Sequence, residues 1–272
     1  MIAMSDFGRI GRLGNQMFQY AFMRTQAERL SVPFYVPEWE GDRAFELGDR
    51  HLRCPAPAGG LARFEEPDDP QRRLQMRVAD NTDVAGYFQS EIHFDRELIR
   101  ASYRFRPEVG RDADEASRDL DNEHDVAVGI RLGDFAAEPS FYVPRPAYYG
   151  RALGLLGARR AFVFSDDIEG ARRLLMRSGF GGEVVMVDRP ALQSLAIMSR
   201  FRQFAIGPST FHWWGAWLSR VPGKRVIAPS EGPFRPGSPH RALQFWPADW
   251  ETRPGLARWD RYWLRRIAGA VR

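Results

Sequence analysis

The ten residues VAVGIRLGDF, positions 126–135, decide the fold. VAVGI is a short apolar run without polar alternation, and it stops at Arg131-Leu132-Gly133-Asp134. Working outward from it, PRPAYYGRALGLLG (144–157) sets Tyr149, Ala152, Leu153 and Leu156 on one helical face, with Pro146 near its start. AFVFS (161–165) is again strand-like, and DDIEGARRLLMRSG (166–179) is helical with Gly179 placed as its stop. EVVMVD, QFAIG and RVIAPS read as further strands, with the helices LQSLAIMS and STFHWWGAWLS between them. Strands that are apolar on both faces and alternate with helices specify a parallel sheet covered on both sides. The half of the chain around VAVGI therefore reads as a Rossmann-like α/β domain.

Upstream the pattern is less regular. GRLGNQMFQYAF (11–22) feeds a helix through about Leu30, VPFYVPEW (32–39) reads as a strand, and DVAGYFQS (83–90) as a strand with a polar end. Residues 41–80, rich in Arg, Pro, Asp and Gly, read as loops or an insertion. The charged stretch RDADEASRDLDNEH (111–124) reads as a linker. This predicts an N-terminal α/β domain over 1–122, a Rossmann-like domain over 123–247, and a C-terminal helical extension over 248–272.

Composition bounds the function. Hydrophobic residues are 44% and charged residues 27% of the 272, which suits a globular chain with a substantial core and excludes wholesale disorder. The 39 Lys and Arg exceed the 35 Asp and Glu only slightly and are dispersed, so no nucleic-acid footprint is present. Cys54 is the only cysteine, so no internal disulfide forms. With no basic-apolar leader at the start and no run of roughly 20 apolar residues, the chain reads as cytoplasmic. RWDRYWLRRIAGAVR (258–272) puts Trp259, Tyr262, Trp263 and Ile267 on one face of a helix. That helix reads either as a closing element packed on a neighbouring domain or as a peripheral contact with an anionic membrane.

Open α/β sheets bind ligands beyond the carboxyl ends of their strands. Here those ends carry Arg131 and Asp134, then Ser165, Asp166 and Asp167, then Ser209 and Thr210 opening a helix. An Arg beside a helix N-terminus makes a diphosphate clamp, and the two Asp residues suit a base or a ribose. Each feature alone also fits plain helix capping or a surface ion pair, and the convergence favours a site. GRLGN lacks the Lys-Ser/Thr of a phosphate-binding P-loop. No GxSxG elbow is present, and His and Cys show no metal-ligand spacing.

Taken together, these blocks resemble glycosyltransferase family 11, the α-1,2-fucosyltransferases. GRLGNQMFQYAF, GYFQSE (86–91), GIRLGDF (129–135), FSDDIE (164–169) and STFHWWGAWLS (209–219) occur in the family order. The resemblance implies a metal-independent, inverting transferase of the two-Rossmann, GT-B type, which uses GDP-fucose and a glycan acceptor and no cofactor, with the acceptor side in 1–122 and the nucleotide sugar bound by 123–247. For such a transfer, Arg131 and the Ser209–Thr210 helix terminus are the candidates to hold the leaving diphosphate, and Asp134 or Glu138, on the loop after Arg131, the candidate general base, the alternative being that either carboxylate instead holds an Arg. Gly14, Asn15, Gln16, Ser165, Asp166, Asp167, Ser209, Thr210, Phe211 and His212 then line the substrate and nucleotide, with Gly11 and Gly14 letting the backbone approach the ligand. The chain departs from the pattern at three positions. The family's His falls on Gly129, its second Arg on Leu132, and the small residue before the Trp pair is His212. A protonated His212 would make good the charge missing at Leu132. The alternatives are another nucleotide-sugar donor or a catalytically lapsed homologue that only binds sugar or a partner.

Overall fold

The structure, a computed structural model, describes residues 1–138, 140–234 and 244–255. The chain divides into two compact units, Met1–Val109 with Leu243–Pro247, and Gly110–Ala242 with the chain from Ala248 on.

The first unit holds β1 (Ile2–Ala3), α1 (Leu13–Leu30), β2 (Phe34–Tyr35), α2 (Glu40–Ala44), β3 (Ala62–Glu65), α3 (Pro70–Leu74), β4 (Thr82–Ala85) and α4 (Arg96–Ser102). Its sheet is wholly parallel in the order β2-β1-β4-β3, with Ile2 opposite both Phe34 and Thr82. α1 is buried on nearly every side from Leu13 to Met23, as a helix apolar all round requires. The Tyr20 hydroxyl donates to Asp49 at 2.8 Å and the Tyr103 hydroxyl to the Met17 carbonyl at 2.6 Å, so the two phenols lose no hydrogen bond on burial. The stretch 41–80, expected as loops, supplies α2, α3 and an edge strand. β3 escapes the sequence pattern because ARFE is largely exposed and carries charge, as edge strands do.

The second unit opens with α5 (Pro107–Ala116), which begins three residues inside the first. There follow β5 (Asp125–Ile130), α6 (Gly133–Ala137), α7 (Pro146–Leu155), β6 (Arg160–Ser165), α8 (Ile168–Met176), β7 (Glu183–Met186), α9 (Ala191–Met198), β8 (Gln203–Ile206), α10 (Thr210–Leu218), β9 (Arg225–Pro229) and β10 (Glu251–Arg253). All six strands are parallel, in the order β10-β9-β8-β5-β6-β7. The α/β class with parallel sheets is thus as the apolar strands require. β5 lies between β6 and β8 and is buried at every residue. Val126, Val128 and Ile130 pack with Tyr148, Tyr149, Leu153, Val163 and Leu175 in one core. Trp213, Trp214 and Trp217 of α10 are buried as well, with the Trp250 ring tilted against Trp213 at 5.5 Å between centres.

Two expectations are corrected here. The linker expected over 111–124 is helical to Ala116 and docked by Arg200, whose guanidinium reaches Asp114 at 2.6 Å and the Gly110 carbonyl at 3.3 Å. The chain divides near 110 rather than at 122. The extension expected to be helical from 248 begins instead with β10, paired to β9 through Glu251 and Ile227. The helix expected over 258–272 lies outside the described residues. Among the described residues no helix is long and apolar enough to cross a membrane.

Two adjacent tyrosines of α7 stitch the strand ends together. Tyr148, 1% exposed, donates to the carbonyls of both Ile206 and Ile227, at 2.8 and 3.0 Å. Tyr148→Phe strips both buried acceptors of that donor, at a cost of about 1–3 kcal/mol. The urea midpoint of the variant is expected to fall with its far-ultraviolet spectrum unchanged; an unaltered midpoint would deny the stitch its role.

Candidate functional site

The candidate residues of the second unit stand where three neighbouring strands end. Arg131 follows β5, Asp166 follows β6, and Gly207-Pro208-Ser209 follow β8. The β5 and β8 ends are drawn close, with the Gly207 N–H donating to the Gly129 carbonyl at 2.7 Å and the Tyr149 hydroxyl donating to it at 3.3 Å. A Cβ on Gly207 would stand 2.8 Å from that hydroxyl, so glycine is required by the approach.

Arg131 is held by two carboxylates. Its Nε donates to Asp134 Oδ1 at 2.9 Å and lies 3.3 Å from Asp166 Oδ2. The other Asp166 oxygen accepts the Leu132 N–H at 2.9 Å, so one carboxylate braces both the backbone and the side chain of the strand end. A Cβ on Gly133 would meet Asp166 Oδ2 at 2.4 Å; the glycine of RLGD leaves room for the brace. Asp167 does different work, capping α8 by accepting the Gly170 N–H at 2.8 Å, while the Ser165 hydroxyl closes the turn against the Asp167 backbone at 3.1 Å. Glu138 is exposed and accepts the Ser140 N–H at 3.1 Å. Ser209 is the buried N-cap of α10, but no side-chain bond closes that cap, and Thr210 begins the helix. Phe211 meets His212 edge-on, with ring centres 5.7 Å apart.

The structure corrects the charge expected at His212. The side chain is 3% exposed and its Nδ1 has no hydrogen-bond partner. Burial first, then the Arg131 charge, pushes its pKa down to about 3 against an opposing bond to the Phe164 backbone. The imidazole is neutral at physiological pH and supplies no cation. Its ring lies on the bare Cα of Gly129, where a Cβ would come within 2.4 Å of its Cγ. Leu132 packs on the core beside Gly170, whose Cβ would stand 2.7 Å from Leu132 Cδ1.

Gly14, Asn15 and Gln16 belong to the first unit, in the first turn of α1. Gly14 is buried inside the helix. Gly11 takes φ +85°, and a Cβ there would sit 2.0 Å from Asn15 Nδ2, so the close neighbour that Gly11 admits is the Asn15 amide. Asn15 Oδ1 accepts from Gln89 Nε2 at 2.9 Å, which joins GRLGNQ to GYFQSE. Gln89 lies in the GYFQSE block, whose sequence alone does not tell which of its side chains meets Asn15. Among the described residues no group of His, Cys, Asp and Glu is placed to hold a metal ion.

One buried and one half-buried histidine make the fold acid-sensitive. Burial, then the Arg73 charge, lowers the His93 pKa to about 4, as burial lowers that of His212 to about 3. An unfolded imidazole titrates near ~6.5, so the unfolded chain binds more protons below that pH. Their contribution is intact above about pH 6.5 and is lost as the pH falls toward the folded values. The difference in urea midpoint between pH 7 and pH 4.5 is expected to shrink in His212→Gln; an equal difference in both proteins would contradict a neutral buried ring.

Known proteins resemble the chain in sequence and in fold. The alpha-1,2-colitosyltransferase of Escherichia coli is 24% identical over 262 residues, covering 81% of this chain and 89% of that protein. The O-antigen biosynthesis glycosyltransferase WbnK of Escherichia coli is 29% identical over 121 residues, 40% of this chain and 39% of that one. Among solved structures, POFUT1 in complex with GDP matches with a TM-score of 0.55 at 14% identity, over 84% of this chain and 97% of that one. NodZ alpha-1,6-fucosyltransferase soaked with GDP-fucose matches at 0.52 and 15%, over 84% and 94%. At such identities the two structures speak for the fold alone. The family model of glycosyl transferase family 11 matches residues 82–235, more than half of the chain, and takes in Gln89, Arg131, Asp166 and the first turn of α10. The chain belongs to glycosyltransferase family 11.

Proposed function

We propose that the protein is an inverting fucosyltransferase of GT-B type that moves L-fucose from GDP-fucose to the 2-hydroxyl of a galactoside in a glycan, with no metal. The observation that carries this reading is Arg131 fixed at the carboxyl edge of the second unit, on the strand against which the first turn of α10 packs. Family membership supports it, as do the α-1,2 linkage in one relative's name and the GDP and GDP-fucose bound by proteins of like fold.

In an inverting transfer the acceptor hydroxyl attacks from the face opposite the leaving GDP, and charge builds on the diphosphate as the sugar becomes oxocarbenium-like. Preorganised donors aimed at that charge are the largest protein contribution. Arg131 supplies a forked cation, and the N-terminus of α10 supplies unpaired backbone N–H groups with the Ser209 and Thr210 hydroxyls. Asp166 holds Arg131 at its post without a ligand, so little ordering is needed when the diphosphate arrives. For the general base, the bond of Asp134 to Arg131 makes it the holder of the cation, and Glu138, exposed on the same loop, is the better placed of the two carboxylates to take the acceptor proton.

A second reading keeps the site and changes the donor to another deoxy-sugar nucleotide. The colitosyltransferase relative and the apolar Leu132 favour it. Incubation with GDP-fucose and a galactoside panel, read by mass spectrometry, tests the first reading. A fucosyl mass shift supports it, and turnover with a different GDP-sugar alone supports the second. Donor binding without turnover on any panel overturns both and leaves a lapsed sugar-binding homologue.

Charge-assisted bonds are worth about 1.5–3 kcal/mol each, so Arg131→Ala should weaken GDP binding about 10- to 100-fold and lower turnover at least as much. Arg131→Lys should recover only part of this, since an ammonium cannot bridge two oxygens as a fork. Calorimetry with GDP decides: a folded Arg131→Ala protein with wild-type affinity removes the diphosphate from this edge.

A further inference from the structure

The segment Gly86–Ser90 is built at unusual conformational cost, and the function above does not use it. It leaves the carboxyl end of β4, directly beside the end of β1, whose following loop leads to Asn15 and Gln16. Phe88 holds φ 51°, a left-handed backbone costly for any residue but glycine, while its ring is fully buried and stacked on Phe22 at 3.8 Å. Glu66, the residue just past β3, accepts the N–H groups of both Tyr87 and Phe88 on one carboxylate oxygen, at 2.7 and 2.9 Å. A Cβ on Gly86 would collide with both Glu66 and Phe88, at 2.5 and 2.7 Å. From below, the wholly buried Gln19 donates to the Gly86 carbonyl at 2.9 Å and keeps its own Oε1 without a partner.

This clamp turns one large side chain outward. Tyr87 is 43% exposed between a glycine at φ 154° and a buried phenylalanine in the left-handed region. Two residues on, Gln89 spends its amino group on Asn15 Oδ1, which leaves the Gln89 carbonyl and the Asn15 amino group for other partners. An exposed aromatic side chain on a clamped backbone, two residues from a pair of neutral amides at the carboxyl edge of a parallel sheet, is the chemistry that recognises a pyranose. The ring covers the apolar C–H face of the sugar and the amides meet its hydroxyls.

We propose that the Gly86–Ser90 loop is the acceptor-sugar platform of the protein, with Tyr87 stacking on the acceptor pyranose and Gln89 and Asn15 binding its hydroxyls. This deepens the transferase reading above and rests on it for the word acceptor, but sugar binding by the loop is measurable without transfer. Saturation-transfer NMR with a panel of methyl galactosides, glucosides and mannosides, no donor present, reads it directly. The full-length wild-type protein is expected to saturate at least one glycoside, Tyr87→Ala to lose that signal, and Tyr87→Phe to keep it, because stacking needs the ring and not the hydroxyl. In the transfer assay Tyr87→Ala should raise the acceptor KM about tenfold with kcat and GDP affinity little changed. Equal signals from wild type and Tyr87→Ala, no glycoside signal from the wild type, or a parallel loss of GDP affinity would each overturn the proposal. If glycosides bind through Tyr87 but no fucose is transferred, the platform stands and the donor assignment falls.

Discussion

The carboxyl edge of the second unit depends on the bare Cα of Gly129. This one residue receives the Gly207 N–H and the Tyr149 hydroxyl on its carbonyl, and it receives the face of the His212 ring where its own side chain would be. Without that vacancy α10 could not seat its first turn on β5, and Ser209 would not stand beside the strand that delivers Arg131. The constraint also explains a pair of departures that look independent in the sequence. The family block has His where this chain has Gly129, and a small residue where it has His212. In space the two positions are one: an imidazole arrives from the helix instead of the strand, and a side chain from either element excludes one from the other. Leu132, the third departure, follows a different logic, for its side chain packs on the core beside α8.

The second unit was legible in the sequence because its strands are buried on both faces. VAVGI, AFVFS and QFAIG carry no polar alternation, and helices of fitting length separate them, so period and length together leave little but a parallel sheet. What escaped were elements whose stability is not written in apolar residues. β3 is an exposed edge whose position comes from pairing with β4. α5 reads as a charged linker because its anchor, Arg200, lies some ninety residues away in sequence. β10 is three residues long and takes its conformation from β9. In each case the partner is distant in the chain, and local pattern carries no trace of it.

The site divides in the same way. That Arg131, Asp166 and Ser209 end neighbouring strands follows from the rhythm of the sequence. What each side chain does there does not. Asp166 and Asp167 are adjacent and identical in type, yet one braces the neighbouring strand and the other caps its own helix. Which carboxylate does which depends on the direction in which the chain leaves β6. His212 sits at a helix N-terminus, where a cation is the natural guess beside an anion. Burial to 3% exposure and the nearby Arg131 charge outweigh that preference.

Each of the two units holds a loop at the carboxyl edge of its sheet by the same device. In the second, Asp166, the residue just past β6, captures the Leu132 N–H of the loop leaving β5. In the first, Glu66, the residue just past β3, captures the Tyr87 and Phe88 N–H groups of the loop leaving β4. A glycine in each captured loop, Gly133 or Gly86, lacks the Cβ that would strike the carboxylate. A carboxylate fixed on a neighbouring strand is a rigid acceptor, and two or three charge-assisted bonds to it suffice to hold a loop that carries no regular hydrogen bonding of its own. The backbone beside Arg131 and beneath Tyr87 is thereby fixed in the folded chain. Ordering a loop on binding costs free energy that would otherwise appear as affinity. A glycosyltransferase gains by settling that cost during folding, because in a transfer reaction the positions of both partners enter the rate.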